Sequence, residues 1–531
     1  MDRRSFVEAL ALAASAGAAT LAPADAAAAA STFEVTEKTV AQLQAAMQAG
    51  TVNAQQLVQL YLARIAALDK AGPQLNSVIE LNPDAIAIAK ALDAERKAQG
   101  PRGPLHGIPV LLKDNIATAD GMHTTAGSLA LVGAKPPRDA FLVAQLRKAG
   151  AVILGKTNLS EWANMRSTRS TSGWSARGGL TRNPYALNRN TSGSSSGSGS
   201  SMAASLAAVA VGTETDGSIT SPASIAALVG IKPTLGLISR AGVIPIAHSQ
   251  DTAGPMTRTV ADAAALLTAM AGSDPRDSAT AQADHKKPDY TRALDRNGLQ
   301  GKRLGLVRSQ WTASTDLVVA ALEPQLAVLK AQGAVLVEVP EIPNSAKYSD
   351  SELTVLLYEL KADLNAYLAE YAPTAQVKTL ADVIAFNEKH RTRELAHFGQ
   401  EHFVAAQAKG DLKSQEYLDA LANNHRFSRA EGIDQVLKEH QLDALIAPTG
   451  GTAWLTDFIN GDAYGASFTS PAAVAGYPHI TVPAGQVHGL PVGLSFVGTA
   501  WTEAPLIAMA YAYEQASLQR RAPTYPATAK K

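Results

Sequence analysis

Two stretches of the chain combine hydroxyl groups with glycine in a way that suits nucleophilic chemistry. Residues 191–201 read Thr-Ser-Gly-Ser-Ser-Ser-Gly-Ser-Gly-Ser-Ser, and residues 212–218 read Gly-Thr-Glu-Thr-Asp-Gly-Ser. Glycine permits close backbone approach, and successive N–H groups in such turns bind negatively charged oxygen. By composition alone the first stretch is typical of a flexible linker. Because a predicted helix, residues 202–211, joins the two turns directly, we interpret them instead as a site that holds a serine nucleophile, which also needs a base.

The first stretch also matches the nucleophile elbow of α/β-hydrolases, with Ser195 as the nucleophile. That motif requires a strand immediately before it. Residues 183–190 read Asn-Pro-Tyr-Ala-Leu-Asn-Arg-Asn, a composition that is typical of a turn and not of a strand. His479 and Asp457 are available as partners for such a triad, so this alternative stays open at this point.

Composition excludes several other classes of function. The chain has 531 residues, 46% of them hydrophobic and 18% charged, which excludes a disordered protein and allows a large core. The 47 basic and 47 acidic side chains balance, and no local basic cluster stands out, so we expect no nucleic-acid partner and no stable membrane association. There is no cysteine, the eleven histidines show no metal-ligand spacing, and no phosphate-binding motif is present, so we expect no metal and no cofactor.

The elements around these turns alternate between helix and strand. Ile108–Leu112 is a predicted buried strand that ends at Lys113, and Asn53 with Gln56 is a predicted capping box for a helix that contains Leu57 to Leu68. Further helices are predicted at about 82–100, 140–150, 202–211, 260–271, 317–332, 352–370 and 503–518, and further strands at about 77–81, 151–154, 303–307, 335–339, 443–447, 479–483 and 493–497. This alternation predicts an α/β fold with helices on both faces of a largely buried sheet.

Residues 1–30 have the features of an export signal. Arg3-Arg4-Ser-Phe-Val resembles a twin-arginine motif, and an apolar stretch from about Leu10 to Leu21 is too short to span a bilayer. We therefore expect removal of residues 1–30 and a periplasmic or secreted protein. Residues 31–531 would then form one domain, with the polar segment 272–301 as either a linker or a surface excursion.

Three blocks of sequence together resemble the amidase signature family. They are Gly107-Ile-Pro-Val-Leu-Leu-Lys-Asp-Asn, then Ser192-Gly-Ser-Ser-Ser-Gly-Ser, then Gly212-Thr-Glu-Thr-Asp-Gly-Ser-Ile. Their order and spacing also agree with the family, and the resemblance covers essentially residues 33–520. It implies a three-layer α/β/α fold with a mixed central sheet. The runs 157–164 and 172–178 are particularly similar to bacterial peptide amidases, which implies hydrolysis of the C-terminal carboxamide of peptides.

The resemblance also implies a role for each catalytic residue. Ser218 is the nucleophile, Ser194 is a bridging serine that follows a cis peptide bond, and Lys113 is the general base. A neutral lysine can act as a base where burial lowers its pKa, and Lys113 ends an apolar strand. Without the serines, an ion pair with Asp114 would be the ordinary interpretation of Lys113.

The same resemblance places an oxyanion hole in the second turn. The backbone N–H groups of Thr215, Asp216, Gly217 and Ser218 would bind the oxyanion. Two positions depart from the common pattern of the family: Asp216 replaces a glycine, and Thr220 stands where many members have arginine. Neither removes a group of the implied triad. The aspartate at position 216 is shared with peptide amidases and so favours that subgroup. We expect Thr220 to affect the shape of the substrate pocket.

The partner implied is a small-molecule or short peptide amide. One alternative keeps the triad but acts on small aliphatic or aryl amides, esters or carbamates. Two others are a component of an amidotransferase complex, which the export signal argues against, and an inactive binding protein of the same fold. The substrate pocket should draw on the helical insertion around 345–425 and on the turns near Trp454 and Tyr464. Oligomeric state does not follow from the sequence.

Overall fold

An eleven-stranded mixed sheet forms the centre of the computed structural model, which describes residues 33–530. The predicted export signal lies outside the described residues. The strands, in chain order, are β1 (Val78–Leu81), β2 (Pro109–Lys113), β3 (Val152–Thr157), β4 (Trp174–Ser175), β5 (Gly179–Leu180), β6 (Val209–Glu214), β7 (Val229–Lys232), β8 (Thr252–Thr257), β9 (Arg303–Val307), β10 (Val335–Val339), β11 (Ala444–Pro448), β12 (His479–Val487) and β13 (Leu490–Val497). Strands β4 and β5 form a separate hairpin, and the others are ordered β1-β3-β2-β6-β8-β7-β12-β13-β11-β9-β10.

Parallel pairing brings the two chemically interesting segments together. Strand β2 is parallel to both β3 and β6, with Leu112 opposite Val211. The carboxyl ends of parallel neighbours lie at the same edge of a sheet. Lys113 at the end of β2 and the turn that follows β6 therefore share one edge. Every residue of β2, β3 and β6 is buried, as expected for strands covered on both faces.

Helices cover both faces of the sheet, which confirms the predicted three-layer α/β/α fold. Helices are α1 (Val40–Gln48), α2 (Ala54–Arg64), α3 (Ala85–Gln99), α4 (Phe141–Lys148), α5 (Ser196–Ala203), α6 (Thr220–Ile225), α7 (Val260–Met270), α8 (Ala283–Lys286), α9 (Arg308–Ala313), α10 (Asp316–Ala331), α11 (Ser349–Tyr371), α12 (Leu380–Lys389), α13 (Arg391–Glu394), α14 (Glu401–Ala408), α15 (Gln415–His425), α16 (Asp434–Glu439), α17 (Ser470–Ala475) and α18 (Glu503–Ser517). Helices α5 and α6 pack on each other and on the sheet, and α7, α10 and α18 form another packed group on it. Within the described residues, no helix combines the length and the apolar character that crossing a bilayer requires.

Most predicted elements are present within a few residues of their expected bounds. The capping box of α2 is confirmed, with the Asn53 side chain accepting from the Gln56 N–H and the Gln56 side chain accepting in return. The predicted helix at 202–211 is wrong. Helix α5 already begins at Ser196, and Val209 starts strand β6.

The serine-rich tract is helical because tertiary hydrogen bonds replace the missing helix propensity. Ser198 Oγ donates to Val211 O at 3.1 Å, and Ser200 Oγ donates to Arg182 O at 2.8 Å. Helix α5 is buried along its whole length. Low-propensity residues form a helix where packing decides the outcome, and this one cannot be a flexible linker.

Segment 272–301 packs against the rest of the molecule. Tyr290 and Leu299 are buried, and Asp277 forms an ion pair with Arg240. The segment belongs to the same compact unit as the sheet. It is therefore a surface excursion and not a linker.

Candidate active site

Lys113 is completely buried and is held by two residues. Its Nζ donates to Ser194 Oγ at 2.7 Å, to Thr213 Oγ1 at 2.9 Å and to Thr213 O at 3.2 Å. Burial lowers the pKa of Lys113 to about 7, although the charges of Asp251 and Glu214 oppose this shift. Lys113 is therefore a candidate base near neutral pH.

The ordinary ion-pair interpretation of Lys113 is wrong. Asp114 instead pairs with Arg177, whose Nη1 lies 3.2 Å from Asp114 Oδ2. Within residues 33–530, Lys113 forms no salt bridge. A neutral amine has two N–H donors and one lone pair, so the two acceptors of Thr213 would leave the lone pair facing the Ser194 hydroxyl.

Ser194 and Ser218 differ in accessibility. The Gly193–Ser194 peptide bond is cis, as the resemblance implies, and Ser194 is fully buried. Ser218 keeps 7% of its surface exposed and lines a cavity. A hydrogen bond of 3.1 Å from Ser195 N to Ser218 O ties the two turns together. Within residues 33–530 the Ser218 hydroxyl forms no hydrogen bond, so it is not paired with Ser194 Oγ in this structure, whereas Ser194 Oγ is paired with Lys113 Nζ.

The turn between β6 and α6 presents unused backbone donors. None of the N–H groups of residues 215–218 donates to another of the described residues. Gly217 has a φ of +77°, and a Cβ there would lie 3.0 Å from Thr469 Oγ1. Glu214 Oε2 accepts from Ile219 N and Thr220 N at 2.8 and 2.9 Å, which fixes the end of the turn. The turn is thus shaped to bind an oxyanion.

Neighbouring side chains hold the start of this turn. Thr215 Oγ1 donates to Asp251 Oδ1 at 2.5 Å, and Gln250 Nε2 donates to Thr215 O at 3.3 Å. Gln250 Nε2 also donates to Glu352 Oε1 at 2.9 Å, which connects the turn to helix α11. Burial raises the pKa of Asp251 to about 6.

A cavity of about 500 Å³ opens onto Ser218. As expected, helix α11 contributes Leu356 and the loop after β11 contributes Tyr464, while Trp454 donates through Nε1 to the lining residue Asp462. Its lining residues are Ala163, Asn164, Met165, Ser167, Thr168, Ser170, Ser172, Gly193, Thr215, Asp216, Ser218, Ile246, Leu356, Asp462, Tyr464, Ser467, Thr469 and Ser470.

Sequence reasoning missed two walls of this cavity. One is the loop 163–172, whose only signal was that its two ends overlap the runs 157–164 and 172–178, which are similar to peptide amidases. The other is the start of α17, where Ser470 precedes a proline, a common signal for the first turn of a helix. That signal predicts a helix start but not its position beside Ser218.

The nucleophile-elbow alternative is not supported by the structure. Ser195 is buried, donates to Thr213 O at 3.1 Å and accepts from Thr213 N at 3.2 Å, so its hydroxyl has a structural use. His479 is buried beside Ser495 Oγ at 2.6 Å, and burial lowers its pKa to about 3. Asp457 bonds only within its own exposed loop, to Ile459 and Asn460.

One cluster has the composition of a metal site. Ligand atoms of His248, Glu359 and Asp363 lie within 4.8 Å of one another. His248 Nδ1 already lies 2.8 Å from Asp363 Oδ2, and Nε2 lies 3.3 Å from Glu359 Oε1. Tyr417 OH and Ser249 N also donate to Glu359. Since these groups satisfy one another, we interpret the cluster as an ion-pair network.

Comparisons with known proteins agree with the fold and the site. The sequence profile of the family described as Amidase matches residues 56–507. The native peptide amidase of Stenotrophomonas maltophilia is 53% identical with a TM-score of 0.87, over 93% of this chain and 99% of that chain. An Arabidopsis thaliana relative named as an amidase is 43% identical over 505 residues, 93% of each chain. An amidase family protein of Bacillus anthracis is 39% identical with a TM-score of 0.84, over 92% of this chain and 93% of that chain.

The fold and these relatives define the class as a hydrolase that acts on amide bonds. More specifically, the chain belongs to the amidase family, whose profile covers most of its length. It has the α/β fold of the amidase signature proteins, as a TM-score of 0.88 to the peptide amidase in complex with the inhibitor chymostatin also indicates.

Proposed function

We propose that this chain is a serine amidase that converts the C-terminal carboxamide of peptides into the free acid and releases ammonia. The observation that carries the proposal is the 2.7 Å contact between Lys113 Nζ and Ser194 Oγ, next to the cavity that Ser218 lines. A serine hydroxyl is a weak nucleophile without a base, and a buried lysine near its pKa supplies one.

Acylation begins when Ser218 Oγ attacks the carboxamide carbon. The proton of Ser218 passes to Ser194 Oγ, and the proton of Ser194 passes to Lys113 Nζ. The negative charge that develops on the carbonyl oxygen is bound by backbone N–H groups of residues 215–218. The Lys113 ammonium then returns a proton through Ser194 to the nitrogen, because an amide leaves poorly unless it is protonated.

Deacylation uses the same relay. Ammonia departs and leaves an ester between the acyl group and Ser218. A water molecule gives its proton through Ser194 to Lys113 and attacks the ester carbon. The proton then returns to Ser218 Oγ as the ester bond breaks, which releases the carboxylic acid and restores the starting state.

Support for a peptide carboxamide substrate comes from the cavity and from the relatives. A cavity of about 500 Å³ is within the range for a ligand larger than a simple aliphatic amide. Solved structures that are 53% and 54% identical to this chain are those of peptide amidases. Other members of the family share the proposed triad, so its presence alone does not select peptides.

The test compares substrates directly. Peptide carboxamides, simple aliphatic and aryl amides, and the matching esters are incubated with the enzyme and followed by mass spectrometry and ammonia release. We expect the peptide carboxamides to give the free acid with the highest kcat/KM. Conversion of simple amides alone would contradict the peptide specificity while leaving the amidase chemistry intact.

Active-site labelling tests the proposed nucleophile. A fluorophosphonate should modify Ser218, and Ser218→Ala should abolish both labelling and turnover. Modification at Ser195, or at no serine in an enzyme that still turns over substrate, would refute the mechanism.

We further propose that residues 1–30 direct export to the periplasm or the medium, leaving residues 31–531 as one amidase domain. The support is the Arg3-Arg4 pair before a short apolar stretch. Expression in a bacterial host should yield a mature chain lacking about these residues outside the cytoplasm, and replacing both arginines with lysine should retain the precursor inside. An uncleaved cytoplasmic chain would contradict this proposal.

A further inference from the structure

The walls of the cavity carry acidic side chains and no basic ones. Among the described lining residues there are two aspartates, Asp216 and Asp462, and no lysine, arginine or histidine. The catalytic candidate Lys113 is completely buried behind Ser194 and does not line the cavity. A substrate in this cavity therefore meets carboxylates and no cation in the walls.

Asp216 lies in the turn that ends at Ser218. Its Oδ2 accepts from Ser470 Oγ at 2.5 Å, and its Oδ1 is buried without a hydrogen-bond partner in the described residues. No ion pair involving Asp216 occurs within residues 33–530. The family motif has glycine at this position, so the shared hydrolytic chemistry does not need the carboxylate.

Asp462 lies in the loop after β11. Its Oδ2 accepts from Ser172 N at 3.0 Å, and its Oδ1 accepts from Trp454 Nε1 at 3.1 Å and from Asn190 Nδ2 at 3.3 Å. All three donors are uncharged. They hold the carboxylate at the cavity wall but do not cancel its charge.

We infer that Asp216, supported by Asp462, is a specificity residue that admits carboxamides with neutral or cationic acyl groups and excludes anionic ones. The inference rests on the proposed function, because it concerns the substrate of that same site. Two like charges close together in a partly desolvated cavity repel strongly, whereas a cationic group is attracted.

The same charge acts on the product. Hydrolysis converts a neutral carboxamide into a carboxylate beside Ser218, in the cavity that Asp216 also lines. Repulsion between the new carboxylate and Asp216 weakens product binding. The free acid should therefore be a poor inhibitor of the wild-type enzyme.

The first experiment uses N-acetyl dipeptide carboxamides that end in lysine, norleucine or glutamate. It is run at mildly alkaline pH, because burial raises the pKa of Asp216 and of Asp462, and for Asp216 the hydrogen bonds from Ser470 and Thr469 and the charge of Lys232 oppose this shift without cancelling it. Burial and the charge of Asp216 raise the pKa of Glu352 to about 8, so Glu352 also becomes negatively charged in this range. We expect the glutamate compound to have a kcat/KM lower by about tenfold or more than norleucine. Asp216→Asn, which keeps the shape of the side chain, should reduce this difference in kcat/KM between the glutamate and norleucine compounds. Asp457→Asn is the matched control, since Asp457 lies in the same loop as Asp462 but bonds only to its own turn.

The second experiment measures inhibition by the free-acid product. Asp216→Asn should lower the inhibition constant of the acid by about tenfold, while the inhibition constant of a neutral competitor stays the same. A merely structural role of Asp216 would change both constants together. Asp462→Asn and Asp216→Gly provide independent variants if Asp216→Asn does not fold.

The outcomes separate this inference from the proposed function. If peptide carboxamides are not cleaved, hexanamide and the monoamide of adipic acid form a neutral and anionic pair that tests the charge selection alone. Equal kcat/KM for neutral and anionic members of either series would overturn the inference, as would an unchanged inhibition constant for the acid in Asp216→Asn.

Discussion

Lys113 makes the proposed chemistry dependent on pH. The amine acts as a base only when it is neutral, and burial lowers its pKa to about 7. For an uncharged peptide carboxamide, kcat/KM should fall roughly tenfold per unit below that pKa and level off above it. A pH profile of kcat/KM measures this directly. A profile without an acid limb near neutrality would argue against Lys113 as the base.

Replacement of Lys113 should remove catalysis and leave the fold. Lys113→Ala and Lys113→Met should lower kcat/KM by roughly 10²–10⁴-fold, because the proton of Ser218 then has no acceptor. The methionine variant preserves most of the buried volume, so its circular dichroism spectrum and melting temperature should stay near those of the wild type. Near-normal amide hydrolysis in either variant would contradict the assignment.

The turn between β6 and α6 depends on glycine at one position. Gly217 has a φ of +77°, and a Cβ would lie 3.0 and 3.2 Å from Oγ1 and Cγ2 of Thr469. We expect Gly217→Ala to destabilise the protein by about 1–2 kcal/mol and to displace the neighbouring N–H donors. Loss of an oxyanion donor lowers kcat by about 10²-fold.

Gly50 provides the control for this prediction. It has a φ of +69° at the end of α1, and a Cβ there would meet nothing within 4 Å. Gly50→Ala should therefore cost a similar backbone strain without a change in kcat. Denaturant unfolding and steady-state kinetics on both variants distinguish strain from catalysis. Equal kcat values in the two variants would show that the turn tolerates a side chain.

The ion pairs between His248 and helix α11 should make the stability of the protein depend on pH. His248 lies in the segment before β8, three residues from Asp251, and pairs with Asp363 and Glu359 on α11. Burial disfavours the charge of His248, but these two carboxylates outweigh burial and raise its pKa. Protonated His248 therefore stabilises the fold fully below about pH 6.5, the ordinary pKa of histidine. This stabilisation is lost as the pH rises through the raised pKa of the folded protein.

A comparison with His248→Gln measures this contribution. The difference in free energy of unfolding between wild type and variant should be largest in mild acid and shrink as the pH increases. Asp363→Asn should show the same trend, because it removes the partner of the same ion pair. A difference that is independent of pH would mean that the pair does not titrate as proposed.

Short stretches of sequence were enough to predict much of this protein. The apolar run before Lys113, the capping box at Asn53 and the two glycine-rich turns are local patterns, and the structure has an element or a turn at each. Strand and helix periodicity depends on neighbouring residues, so the α/β alternation was readable without tertiary information. The exception was Ser196–Ala203, whose helix depends on partners outside the tract.

Long-range packing decided the walls and the charge of the cavity. Ser470 donates to Asp216 across 254 residues of chain, and Asp462 bonds to Ser172 across 290. No local pattern connects such distant positions, because their proximity results from the order of strands in the sheet and from loop packing. The lowered pKa of Lys113 likewise follows from complete desolvation, which depends on everything packed around it. Motifs thus predicted the candidate reactive groups, whereas only folding created the environment that lowers the pKa of Lys113 and lines the cavity beside Ser218.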